Sequence, residues 1–186
     1  AIPVYRGSQF STMDCFVFIF KSFTFHTLNG QLLNPAHSPF PALNLPSFDV
    51  RLQKENGRNW IWDNIRKKFI VLTPEEWVRQ HFIHFMIESL GYPRSLVTIE
   101  RGLRYNKLQK RSDILVHQRD GTPWMLVECK SPSIRLTQKA FNQIAVYNMT
   151  VGAAYLTVTN GMVHYCCKAT PPGTESPFLN DFPAFA

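Results

Sequence analysis

Asp113 and the run Glu128-Cys129-Lys130 put two carboxylates and an ammonium group on two neighbouring segments. Between them, Asp120-Gly121 is a strong turn signal joining two β-prone runs, 111–118 and 122–130. A two-residue loop at 120–121 pairs Arg119 with Thr122 and sets Asp113 opposite Glu128. A four-residue loop on the same centre gives the same pairing, and a bulge would break it. Opposed side chains have Cβ atoms ~4.5–5.5 Å apart. Lys130 shares the face of Glu128, whereas Cys129 points the other way, as a small buried hydrophobe. Facing carboxylates repel and weaken a sheet. A hard divalent cation, Mg²⁺ or Mn²⁺, would offset that cost. The lysine could steady a developing phosphorane or position an attacking water. These are the parts needed for metal-assisted hydrolysis of a phosphodiester. The same three residues also suit a structural ion cluster at a strand end, and spacing leaves both readings open.

The elements that must position them follow from periodicity. Trp60-Ile61-Trp62-Asp63 and Phe69-Ile70-Val71-Leu72 read as short extended pieces around Arg66-Lys67-Lys68. Thr73-Pro74-Glu75-Glu76 opens a helix, with Thr73 as N-cap, Pro74 at the first helical position and Glu76 where a capping box needs it. Ile83, Ile87 and Leu90 follow at helical spacing, and Gly91 and Pro93 stop the helix. A strand at 96–100, the hairpin, a second helix at 137–149, and strands at 155–159 and 162–166 complete the order α-β-β-β-α-β-β. Ile114, Leu115 and Val116, like Met125, Leu126 and Val127, leave no polar face, so those strands are covered on both sides. The expectation is an α/β domain with a mixed central sheet between helices.

The chain has 186 residues, 20 Lys+Arg against 13 Asp+Glu, and a net charge of +7. That excess permits an anionic partner. Four cysteines in this length are no disulfide framework and indicate a reducing, cytoplasmic compartment. Residues 1–45 form an aromatic- and Pro-rich extension whose charged side chains are Arg6, Asp14 and Lys21. Its run Cys15-Phe16-Val17-Phe18-Ile19-Phe20 is far short of the ~20 residues a membrane span needs. A signal peptide, an accessory strand, a partner-docking segment and a non-native start all remain open for it. The domain proper is placed at 46–169, with an irregular tail at 170–186. No phosphate-cradling Gly-x4-Gly-Lys-Ser/Thr loop occurs, which excludes an ATP motor of that type.

At these residues the sequence resembles the PD-(D/E)xK nuclease superfamily. From about Leu45 to Lys168 it is similar to the N-terminal nuclease domain of type I restriction enzyme R subunits, in a short stand-alone form. The pieces that carry the likeness are Leu72-Thr73-Pro74-Glu75-Glu76-Trp77-Val78-Arg79, Lys110-Arg111-Ser112-Asp113-Ile114, Val127-Glu128-Cys129-Lys130-Ser131-Pro132 and Tyr147-Asn148-Met149-Thr150. The resemblance implies a restriction-endonuclease-like core, Mg²⁺ (or Mn²⁺) held by Asp113, Glu128 and a first-helix carboxylate, and Lys130 in catalysis. Glu76, in a Glu-x-x-Arg pattern with Arg79, matches that helix carboxylate; capping alone would also explain it, and Glu100 is the competing acid. Gln143 and Tyr147 match a Gln-x3-Tyr pair that touches DNA or orients the site. DNA and other restriction-modification subunits are the implied partners, without a membrane. Since no helicase motor accompanies the domain, a DNA-binding or assembly module that keeps the nuclease fold without turnover is the alternative.

Arg101, Arg104, Lys107, Lys110 and Arg111 lead straight into Asp113. A basic loop at the mouth of an acidic site suits a phosphate backbone, although charge runs are often plain solvated loops. His164 with Cys166 and Cys167 lacks the second pair a zinc site needs. His81 and His84 read as a partly buried pair.

Overall fold

A computed structural model describes residues 40–99, 102–105, 108–111, 113–171, 174 and 176–185, without side chains for 102–105 and 108–111. Three strands come first: β1 (Leu52–Glu55), β2 (Arg58–Asp63) and β3 (Lys68–Val71), in one antiparallel sheet. Asn56 and Gly57 join β1 to β2 with φ of 50° and 73°, the left-handed pair that a two-residue hairpin demands. This Asn-Gly pair is the signal for β1, a strand absent from the sequence expectation. Alternation turns Ile61 inward, fully buried against Val50, Leu72 and Trp77.

Thr73 then caps α1 (Pro74–His84), its Oγ1 accepting from the Glu76 backbone N–H at 3.1 Å. The helix runs on as one π-helical turn, Phe85–Ser89, before Gly91. A short 3₁₀ turn leads to β4 (Val97–Ile99). Here the chain departs from the expected order. Gly102–Tyr105 (β5) and Leu108–Arg111 (β6) pair with each other as a separate antiparallel sheet, so the described part of the basic run is paired strand rather than loop. The hairpin expected from residue 111 therefore begins at β7 (Ile114–His117), followed by β8 (Pro123–Cys129), α2 (Gln138–Val151), β9 (Tyr155–Thr159) and β10 (His164–Lys168).

The central sheet has the order β10-β9-β8-β7-β4. β8 and β9 are parallel, joined by α2 as a crossover, and the other pairs are antiparallel. The sheet is mixed and helix-covered, as expected. The continuous apolar runs explain it: Ile114, Val116, Met125 and Val127 meet Val78, Phe82 and Met86 on one face, while Leu115, Leu126 and Leu156 meet Phe141 and Ile144 of α2 on the other. Truncating fully buried Phe82 to alanine would cost ~3–5 kcal/mol.

The irregular ends are packed. Leu179 donates its N–H to the Cys166 carbonyl at 2.8 Å, Tyr92 donates its hydroxyl to the Pro183 carbonyl at 2.6 Å, and Phe182 and Phe185 join the α1 side of the core. At the front, Asn44 N–H reaches the Gly161 carbonyl at 2.8 Å. Gly161 sits at φ 80°, a left-handed conformation that favours glycine, with the Leu43 side chain packed against it. Residues 1–39, and with them the Cys15–Phe20 run, lie outside the described residues. Among the described residues no helix is long and apolar enough to cross a membrane.

Candidate active site

The β7–β8 hairpin decides whether Asp113 meets Glu128. Its loop is not the two-residue turn expected. Gln118 N–H donates to the Thr122 carbonyl at 2.7 Å, leaving Arg119, Asp120 and Gly121 in a three-residue loop with Gly121 at φ 85°. That shifts the register by one, so His117 pairs with Pro123. A bulge then takes up Trp124, and from Val116↔Met125 to Ile114↔Val127 the pairing is the one anticipated. The loop and the bulge cancel. The next step along both chains brings Asp113 to Glu128 and Cys129, where Asp113 Oδ2 accepts the Cys129 N–H at 2.6 Å.

Lys130 Nζ donates to Glu128 Oε1 at 2.5 Å. Burial pushes the Glu128 carboxyl above its ordinary range, and nearby Asp113 pushes it further. Burial would lower the Lys130 ammonium, but its hydrogen bond to Glu128 and that carboxylate's charge outweigh this and raise it. Lys130 therefore stays a cation beside two acids. Cys129 faces the opposite core, fully buried, with its thiol pushed well up by burial.

The helix α1 supplies the rest. Arg79 Nη2 donates to Asp113 Oδ1 at 2.6 Å and lies 3.4 Å from Glu75 Oε1, while Nη1 contacts Glu76 Oε2. One buried guanidinium thus bridges three carboxylates. Burial would lower its pKa, yet Asp113 and Glu76 drive it up. Glu76 Oε1 accepts from Arg66 Nη2 at 3.0 Å and Gln80 Nε2 at 2.9 Å. Gln80 Nε2 also reaches Asp63 Oδ2 at 3.0 Å, and Asp63 caps the Ile65 and Arg66 N–H groups at 2.7 and 2.8 Å. The Glu76 side chain does not close the capping box; it is absorbed into this Asp63–Arg66–Arg79–Gln80 network. Burial still pushes its carboxyl up, against Arg79 and the Gln80 hydrogen bond.

Glu75, by contrast, is half-exposed and electrostatically joined to the strand acids. Its carboxyl is raised by burial and then by Asp113, and lowered by Arg79 and Lys130. It is the acid beside Asp113 that sequence reasoning missed. Helical phase carried the signal: Glu75 lies three and seven residues before Val78 and Phe82, the stripe that faces the sheet, whereas Glu76 aligns with Gln80. Its place in the first turn also favours an anion.

The donor set suits a hard divalent ion: Glu75, Asp113 and Glu128 offer only carboxylate oxygen. Among the described residues, however, no three His, Cys, Asp or Glu side chains are close enough to form a metal-binding group. Arg79 and Lys130 hold the positive charge at this end of the sheet.

The other expected site residues lie apart or outside the description. Gln143 is exposed, and Tyr147 is buried in the α2 core layer. Glu100, Arg101 and Lys107 are outside the described residues, as are the side chains of Arg104, Lys110 and Arg111. His164 is a core residue: its Nε2–H donates to the Asn44 carbonyl at 3.0 Å and its Nδ1 accepts from Thr159 Oγ1 at 2.7 Å. Cys166 and Cys167 are both buried.

A solved fragment described as an HsdR subunit of a type I restriction enzyme from Vibrio vulnificus YJ016 is 21% identical, with a TM-score of 0.46 over 61% of this chain. The match takes in 24% of that chain, so this sequence spans under a quarter of that relative's length. No curated protein matches the chain. Residues 74–183, from the first turn of α1 through the packed C-terminal segment, match the family model described as type I restriction enzyme R protein N terminus. The chain belongs to that family, the N-terminal domains of type I restriction R proteins.

Proposed function

We propose that this chain is a DNA endonuclease domain that hydrolyses phosphodiesters with a divalent metal, Mg²⁺ or Mn²⁺. The observation that carries the reading is the register-locked approach of Asp113 to Glu128 with Lys130 hydrogen-bonded beside them. Asp113 and Glu128 would hold the metal, with Glu75 as the helix carboxylate in place of Glu76, whose oxygens are taken by Arg66, Arg79 and Gln80. When bound, the metal would polarise a phosphoryl oxygen and acidify a water. Lys130, a persistent cation with three donors, orients that water or meets charge developing on phosphorus. Arg79 fixes the orientation of Asp113 through its Oδ1, the oxygen for which a bound cation would compete. Nicking of supercoiled plasmid by the wild-type protein in Mg²⁺, its absence in EDTA and its loss in Lys130→Ala are expected. Undiminished cleavage by folded Lys130→Ala would overturn the assignment.

The Arg79 bridge also favours a second reading, in which the guanidinium permanently stands where a metal would and the domain binds DNA without cutting it. That reading expects salt-sensitive DNA binding and no products at any Mg²⁺ or Mn²⁺ concentration.

A further inference from the structure

The outer face of the β1-β2-β3 sheet carries aromatic and cationic side chains, with Trp60 and Trp62 half-buried and Trp62 donating its Nε1–H to Asn64 Oδ1 at 3.1 Å. Register sets them in rungs. Trp62 pairs with Phe69, and its N–H bonds to the Arg51 carbonyl, giving the rung Arg51–Trp62–Phe69. The next rung on that face is Gln53–Trp60–Val71. Adjacent rungs on one face are ~6.7 Å apart. Phe69 and Val71 are 37% and 40% exposed, whereas Ile61 on the inner face is fully buried. Among the described residues, none of Trp60, Trp62, Phe69 and Val71 joins a hydrophobic core. Trp62 and Phe69 meet edge to face at 5.2 Å. Beyond Trp62 the surface opens into a cleft of about 320 Å³, where the Phe48 and His84 rings stack at 3.7 Å.

Cations flank the rings. By register Arg51 and Arg58 lie on this outer face and exposed Lys67 sits at the β2–β3 turn, while Glu55 faces Arg58 across the β1–β2 pair and exposed Asp49 and Glu88 line the cleft. Exposed rings among cations are what single-stranded nucleic acid requires: bases stack on the rings and phosphates meet the charges, whatever the sequence. A duplex keeps its bases stacked inside and could use only the charges.

We infer that the outer face of this sheet binds single-stranded DNA by base stacking on Trp60, Trp62 and Phe69. The inference rests on the nuclease reading only in taking DNA as the nucleic acid. The sheet is tied to the candidate site through the residue after Trp62: Asp63 turns inward and bonds Gln80 of α1. A strand held on the outer face is therefore braced against the helix that carries Glu75 and Arg79.

The test is anisotropy of labelled oligothymidylate with the full chain, with a duplex and an oligouridylate of equal length alongside. Salt-sensitive binding is expected, with Phe69→Ala weakening oligothymidylate by at least ~5-fold and leaving duplex affinity unchanged. Phe69→Leu keeps apolar bulk without a stacking face and should weaken binding similarly; Phe69→Tyr should restore it. Arg51→Ala should reduce the salt dependence. No binding at low salt, equal binding by Phe69→Leu, preference for oligouridylate, or an effect of these variants confined to association with another protein would overturn the proposal. Asp113→Asn separates the two readings, since it should bind oligothymidylate normally whether or not the wild type nicks DNA.

Discussion

Two acidic groups border the first turns of α1, and they differ in how far they are satisfied. Asp63 and Glu76 are buried, and their oxygens are taken by Arg66, Arg79, Gln80 and backbone N–H groups. Glu75 and Glu128 are less covered, their carboxyls are pushed up by burial and by Asp113, and the cations close to them are Arg79 and Lys130. The first group ties β2 to the helix. The second has carboxylates short of partners at the end of the central sheet, the condition a metal and a phosphate would relieve. Residues one apart on a helix thus take different duties, because a step of 100° turns Glu76 to the Asp63 network and Glu75 to the strands.

The sharpest way to break that contrast is Asp113→Asn. Nicking should fall about a thousandfold, the several kcal/mol that a Lewis-acid metal supplies, with circular dichroism unchanged. In the saturated group, Glu76→Ala should act on stability instead. It leaves two arginines without a shared acceptor and should cost ~3 kcal/mol in urea unfolding; a cost below ~1 kcal/mol would erase the distinction.

Acid stability gives a background to both groups. Burial lowers His81 and His164 from 6.5 to about 4 each. The unfolded state therefore takes up these protons first, and stability falls as pH drops from 6.5 towards 4. Each should contribute a loss of about 2 kcal/mol between pH 7 and pH 5. His164→Gln should flatten that slope in urea titrations. The smallest change expected is in Glu75→Gln, with nicking down about tenfold and stability within ~0.5 kcal/mol, since the side chain is 46% exposed. A large stability loss there would place Glu75 with the saturated group.

Much of this was legible from residues alone, where local chemistry has one solution. Thr73-Pro74 marks the helix start, and two-sided apolar runs mark buried strands. The approach of Asp113 to Glu128 was also legible, though the turn was not: Asp120-Gly121 signals a hairpin without fixing its length, and the bulge restores the pairing. Basic residues at 101–111 hid the strands β5 and β6 because charge carries no period. Glu76 drew attention as the capping-box position, and only the phase of the sheet-facing stripe distinguishes it from Glu75. The packed tail escaped because Leu179, Phe182 and Phe185 sit among prolines and turns without periodicity.

A calorimetric Mn²⁺ titration of the wild-type protein and Asp113→Asn bears most directly on whether the less satisfied group is a metal centre. One ion per wild-type chain, and at least tenfold weaker binding by the folded variant, is the result predicted. No binding by the wild type, or equal affinity in both proteins, would contradict it.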